Sequence, residues 1–416
     1  MEKTMAEQNS DAARVAERTE AMASLVVRAG ANVAPGQDVY VVSHDLEHAP
    51  LARAIAAEAY RAGAHFVSLI HWDQHAKLAR LRHAPADSLE FVPAWWDRHI
   101  EECLERQGAY ISILGESDPG LLDDVDPDRA AKDPMPWTAP FFPMISSGEV
   151  NSVEFSGPTA GMAERLLGAP DLGPLWEELA PILRLDEPDP AAAWPRHLEE
   201  LQGRAAVLNA RGFSELRFTG PGTDLRVGLI ACGRWSTLAI ETNWGRGTIQ
   251  SLPTEKVFTA PDFRRVEGTL TATKPVQMMN GPVVEGLRLR LEAGRVVELE
   301  AESGAEALRA RLASDEGAAR LGEVALVDSD SPVARSGRHF GDPLLDENAA
   351  THLALGQGYS VCVPGLSEDP AERGARGFND SVVHQDIMVG GRELAVDGID
   401  PGGTPTAVIR GGRWVL

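Results

Sequence analysis

The sequence is poor in cysteine and in basic residues, and it contains no long apolar run. Its three cysteines, Cys103, Cys232 and Cys362, stand far apart, with no Cys-x-x-Cys pair. So sparse and odd a set fits a reducing compartment and excludes a disulfide framework or a zinc finger. No stretch approaches the roughly 18 consecutive apolar residues that read as a transmembrane helix, and the polar N-terminus lacks the apolar core of a secretory signal. A cytoplasmic protein is therefore expected. Lys and Arg number 39 against 62 Asp and Glu, a formal net charge of −23. Phosphate backbones and anionic lipids need a basic face, so nucleic acid and membrane are excluded as partners. No Gly-x-Ser-x-Gly elbow is present. The segment Gly245-Arg246-Gly247 lacks the strand–turn–helix setting of a phosphate or dinucleotide loop.

What is present is an ordinary globular composition, 43% apolar and 24% charged over 416 residues. That length suggests two or three domains at about 150 residues each. Near the N-terminus, Asp11 to Arg28 has helical periodicity, with Ser10 as a cap and Gly30 as a stop. Val39–Val42 reads as a buried strand, Pro50–Arg61 as an Ala-rich helix ended by Gly63, and Phe66–Ile70 as the next strand. Strand, helix, strand at this spacing is a right-handed crossover, which demands a parallel sheet. A helix over Ala94–Arg106 and a strand over Tyr110–Leu114 continue the pattern. Beyond the Pro/Asp-rich Asp186–Pro190 the texture changes to hairpins: Leu216–Phe218 with Leu225–Val227, Val283–Leu291 with Arg295–Ala301, and a last pair around Asp400–Gly403. The expected fold is α/β: a doubly wound α/β domain over residues 1–190, with a connector to about 205, then a mixed α+β, hairpin-rich domain over 206–416.

Ligand-type side chains fall in four segments of the second half. In Val383-His384-Gln385-Asp386-Ile387, alternation along a strand puts His384 and Asp386 on one face. An imidazole and a carboxylate side by side suit a first-row divalent metal, or else form a His–Asp hydrogen bond on a solvated strand. In Asp346-Glu347-Asn348-Ala349-Ala350-Thr351-His352, Asp346 reads as an N-cap and the Ala-rich run as helix. Glu347 and His352 would then diverge by about 140° around the axis, whereas His352 and Tyr359 would share a face. Glu323 stands in the apolar strand Leu321–Val327, either at a solvated strand end or buried with a partner. Glu255 sits on a loop bracketed by Pro253 and Pro261. A fifth cluster, His71-Trp72-Asp73-Gln74-His75, follows a strand but has no companion nearby in sequence.

Together these segments resemble the aminopeptidase T family. The resemblance runs through Pro253-Thr254-Glu255, Val257-Phe258-Thr259-Ala260-Pro261, Val266-Glu267-Gly268-Thr269, Val284-Glu285-Gly286-Leu287-Arg288, Leu321–Val327, Asp346-Glu347-Asn348-Ala349 with His352, and Val383–Met388, and it covers nearly the whole chain. It implies a two-domain, homodimeric metalloaminopeptidase acting on peptides with a free N-terminus. It also implies two divalent ions per chain (zinc, cobalt, magnesium or manganese) in the second domain. Carried over position by position, the metal ligands are Glu255, Glu323, Glu347, His352, His384 and Asp386, with Tyr359 and Glu255 as catalytic residues. One departure stands out: the family commonly has two acidic residues after Pro-Thr, and here the second is Lys256. Two competing readings remain. His352, His384 and Asp386 alone would make the facial triad of a non-haem iron(II) ring-cleaving dioxygenase, and a chain altered at Lys256 could be a metal-binding scaffold without activity.

Overall fold

The computed structural model describes residues 5–118, 120–122, 124–130, 132–278 and 282–416; residues 1–4 of the polar N-terminus lie outside it. The chain forms two compact units. One is Met1–His197 with Leu238–Pro253; the other is Leu198–Thr237 with Thr254–Leu416.

The first unit is built on a five-stranded parallel sheet. Its strands lie in the order Phe66–His71, Asp38–Ser43, Ala109–Leu114, Asn151–Ser156, Ser251–Leu252. Every residue of Asp38–Ser43 is buried, as expected of a parallel strand with both faces covered. The helix Ala49–Arg61 has Pro50 in its first turn and buries Leu51, Ala52, Ile55 and Ala59, an i, i+4, i+8 stripe. Gly63, at φ +94°, ends it. The expected strands and helices of this region are present to within a residue or two. The first helix starts earlier than the sequence suggests: it runs Met5–Leu25 and passes into one wide turn over Val26–Gly30, so Ser10 lies within it rather than capping it. The His71–His75 cluster serves local structure. Asp73 accepts hydrogen bonds from the backbone N–H groups of His75 and Ala76, capping Gln74–His83, and His71 Nδ1 meets Ser43 Oγ at 3.1 Å.

The second unit holds two antiparallel sheets. The larger has eight strands, in the order Arg295–Glu300, Arg288–Glu292, Pro261–Thr271, Thr223–Leu229, Glu215–Gly220, Ala395–Ile399, Pro405–Arg410, Arg413–Trp414. All three hairpins read from the sequence belong to it. The smaller sheet places Lys256–Thr259, Leu321–Val327, His352–Gly356 and His384–Met388 side by side. The segment after Asp346 is therefore not the helix its alanines suggest. A short helix Pro343–Asp346 tightens into one 3₁₀ turn, Glu347–Ala349, and His352 opens a fully buried strand. Two ladder neighbours and burial on both faces outweigh the few tenths of a kcal/mol per residue by which alanine favours helix.

Gly356 ends that strand at φ +99°, and a Cβ there would lie 1.9 Å from the Val383 carbonyl oxygen. Its own carbonyl accepts from Asn379 Nδ2 at 2.6 Å, and it pairs in register with His384. Gly356→Ala is expected to cost on the order of 3 kcal/mol of stability in urea denaturation, because it combines a forbidden φ with a backbone collision. Wild-type stability for this variant would rule that account out. The three cysteines are free, as their spacing suggests. Among the described residues, no helix is long and apolar enough to cross a membrane.

Candidate metal centre

The four-stranded sheet assembles the site through its pleat. Glu323 stands opposite Ala354, and Ala354 opposite Asp386, so the two carboxylates flank a small residue in one row. His352 and Gly356 share the face of Ala354, and His384 shares that of Asp386. The pairing register slips at Gly322, where a Cβ would come within 2.2 Å of the Gly356 carbonyl oxygen; this bulge sets where Glu323 emerges. Glu347 arrives from the 3₁₀ turn before His352. That turn is tied down by Asp346, whose carboxylate accepts from the backbone N–H groups of Phe340 and Asp342.

Two groups of three potential ligands result, each with its donor atoms mutually within 4.8 Å: Glu323, His384 and Asp386, and Glu347, His352 and Asp386. Asp386 belongs to both. His384 Nε2 lies 3.3 Å from Glu323 Oε2 and 3.5 Å from Asp386 Oδ1, and His352 Nε2 lies 3.8 Å from Asp386 Oδ1. These five side chains are all candidates from the sequence, and the fold brings them together. Glu255 is buried one residue before the first strand; its N–H donates to Asn348 Oδ1 at 2.7 Å, and it enters neither group. The tyrosine ring of Tyr359 lies 5.3 Å from that of His384 and 4.9 Å from that of Phe258, measured between centroids.

The donor set fits a divalent ion, and the histidines show why. His384 Nδ1 bonds to the Gln357 carbonyl at 2.9 Å and His352 Nδ1 to the Ala350 carbonyl at 3.1 Å. A carbonyl only accepts, so each Nδ1 carries the hydrogen, and in the neutral ring each Nε2 offers a lone pair to the carboxylates. Nε2 of both rings, Asp386 Oδ1 and both oxygens of Glu323 are buried outside hydrogen-bond geometry with any partner. Lone pair facing lone pair in a buried site calls for a cation between them. A backbone carbonyl fixing the far nitrogen of each ring is the usual second support of a metal-bound histidine.

Lys256 also reaches this site. It is 1% exposed, and its Nζ lies 2.9 Å from Glu347 Oε2 and 3.3 Å from Glu323 Oε1. The ladder explains its direction: Lys256 pairs with Val327 and Phe258 with Ala325, so Lys256 shares the face that carries Glu323. The electrostatics follow the geometry. Burial opposes the charge on Lys256, yet Glu323 and Glu347 outweigh it and hold the ammonium well above its ordinary range. Burial likewise opposes the imidazolium of His384, and Asp386 with Glu323 reverses the balance upward. The carboxylates that would share a metal ion with Nε2 otherwise favour a proton there, and an ion would bind in that proton's place. Burial and the neighbouring carboxylates keep Tyr359 a phenol, against the pull of Lys256.

A profile of the thermophilic metalloprotease (M29) family matches residues 15–414. The chain belongs to the M29 metalloprotease family. M29 relatives include "Aminopeptidase T" of Thermus thermophilus, 41% identical over 95% of this chain and 98% of that one. "Aminopeptidase PepS" of Streptococcus thermophilus is 35% identical over 96% and 98%. A solved structure, wild-type AmpT from Thermus thermophilus, superposes with a TM-score of 0.88 at 37% identity, over 96% of this chain and 99% of that one. The resemblance read from the motifs is thus correct at the level of the family, and the α/β class expected from the sequence agrees with this neighbour. What the motifs left open was side-chain direction at positions 255 and 256. The family's acidic pair marks the segment as important, but only the strand ladder shows that Lys256 is turned into the donor set.

Proposed function

We propose that the chain is a metal-dependent aminopeptidase releasing N-terminal residues from peptides. Its site is the set Glu323, Glu347, His352, His384 and Asp386, with Tyr359 and Glu255 beside it. The observation that carries this reading is the pair of imidazoles, each anchored through Nδ1 and each turning Nε2 toward buried carboxylates, in a chain of a metalloprotease family. A divalent ion bound there supplies a Lewis acid for the scissile carbonyl and a water made acidic enough to attack.

The remaining chemistry belongs to this chain's own groups. Tyr359, kept protonated, donates a hydrogen bond to the carbonyl oxygen as negative charge grows on it. Glu323 and Glu255 are the candidate acceptors for the proton of the attacking water. The surplus of carboxylates favours the cationic α-amino group of an unblocked peptide. The iron dioxygenase reading, which rests on His352, His384 and Asp386 alone, leaves Glu323 and Glu347 without a role and finds no support in the family match. The test is a panel of aminoacyl amides assayed after chelation and again after adding back Zn²⁺, Co²⁺, Mg²⁺ or Mn²⁺. Activity is expected to vanish with the metal and to return with at least one ion, and N-acetylated peptides are expected to resist. Cleavage of the blocked peptides would overturn the exopeptidase reading.

A further inference from the structure

Lys256 is the feature that the metallopeptidase reading does not absorb. Its ammonium stands against one oxygen of Glu323 and one of Glu347, the carboxylates that separate the two ligand groups from each other. Charge counting sharpens the point. The two groups together contain three carboxylates, Glu323, Glu347 and Asp386. With the ammonium added, the buried cluster carries a net charge of minus two. One dication neutralises it; two dications would leave a surplus of plus two in a largely buried site, where unpaired charge is penalised. Geometry points the same way. The Nζ hydrogens occupy the approach to Glu347 Oε2 and Glu323 Oε1, and a ligand oxygen directed at an ammonium is no longer free to close the roughly 2 Å distance a zinc or similar ion requires.

We infer that Lys256 takes the place of one of the two cations this donor set has room for, so that the chain binds a single divalent ion. The inference rests on the metal-dependent reading above but goes beyond it, since the resemblance implies two ions. The tethered ammonium balances Glu347 and one oxygen of Glu323, and the ion is held by ligands drawn from the remaining Glu323 oxygen, His384, Asp386 and His352. Glu255, the acidic residue that survives beside Lys256, lies outside both groups.

Metal content of the full-length protein tests this directly. Chelated protein is equilibrated with Zn²⁺, and separately with Co²⁺, and the bound metal is counted per chain by elemental analysis. Wild type is expected to hold one ion and Lys256→Glu to hold two, because that change moves the cluster by two units of negative charge and adds a donor. Lys256→Gln, which removes the ammonium without adding a carboxylate, keeps the test open if the glutamate variant fails to fold. It is expected to take up a second ion at metal concentrations where wild type stays at one. Two ions in wild type would overturn the inference and leave the metallopeptidase reading standing. A single ion in wild type and in both variants would overturn the role given to Lys256. No ion in any of the three, together with no hydrolysis, would overturn the metallopeptidase reading itself.

Discussion

His384→Ala abolishes metal-dependent hydrolysis, with kcat/KM expected to fall by a factor on the order of 10³ or more, about 4 kcal/mol of transition-state stabilisation. The size of the effect follows from the position of the ring. His384 Nε2 faces both Glu323 and Asp386, and it belongs to the group that keeps one Glu323 oxygen clear of Lys256. Removing it takes away one imidazole donor and leaves Glu323 and Asp386 with no nitrogen between them. The fold loses little by comparison. His384 is the first residue of an edge strand and is only half-buried, and the ladder it joins is carried by backbone groups that alanine retains. Circular dichroism and thermal unfolding should therefore stay near wild type while bound metal and activity are lost. His75→Ala, in the helix cap of the first unit, should change neither. Wild-type turnover by His384→Ala would remove the site assigned here. A variant that is inactive only because it has unfolded would show the same loss in both unfolding and metal content, and rescue of folding at lower temperature would separate the two.

Much of this site is legible in the sequence, and what is not follows a physical rule. The pair His384 and Asp386 is visible because a two-residue period in a β-rich context has one structural meaning, and the strand His384–Met388 realises it. Glu323 is visible because a carboxylate inside Leu321–Val327 must be partnered, and it proves fully buried. The local sequence around His352 predicts helix, and the structure makes it the start of a strand. Ala349, Ala350 and the cap-like Asp346 are local signals for helix, but the strand His352–Gly356 is a middle member of its sheet and its conformation is dictated by partners 27 to 36 residues away. The five-residue gap between Glu347 and His352, awkward on a helix, becomes natural across a 3₁₀ turn and a strand start. The segment Leu238–Pro253 joins the first unit through strands of two or three residues, Ala239–Glu241, Gly247–Ile249 and Ser251–Leu252. Strands that short have no periodicity to read. Lys256 is the sharpest case. Composition and motif single it out, yet whether it faces the ligands depends on one residue of register in the ladder with Leu321–Val327.

The first unit is expected to lose stability steeply between pH 6.5 and pH 4, on the order of 3 kcal/mol from each of two buried histidines. His44 follows directly on the strand Asp38–Ser43 and His48 ends the 3₁₀ turn Leu46–His48 just beyond it, at the carboxyl end of the parallel sheet. His44 is stacked on Trp137 with ring centroids 4.5 Å apart and has Ser112 Oγ 3.4 Å from Nε2; burial pushes its proton affinity down to about 3, with the charges of His48 and Lys77 adding to the effect. His48 is 1% exposed, with Nε2 3.3 Å from the Gly157 carbonyl; burial pushes it down to about 4, although Asp45 and that carbonyl pull the other way. In the unfolded chain both rings titrate near 6.5. Below that value the unfolded state binds protons that the folded state refuses, so stability is fully present above pH 6.5 and is lost as pH falls toward the folded values. Two such groups account for a large share of the 5–15 kcal/mol that holds an ordinary domain together. The paired carboxylate of Asp45, held below its usual range against burial by Ser117 and the Glu47 N–H, adds its own loss only at lower pH, as the medium falls through 3.8. Urea denaturation followed by tryptophan fluorescence from pH 7.5 to 4.0 measures the slope. In His48→Gln, whose amide can still donate to the Gly157 carbonyl, that slope is expected to fall by about one proton. An unchanged slope in the variant would mean that His48 is already protonated in the folded state, and the neutral, buried ring described here would be incorrect.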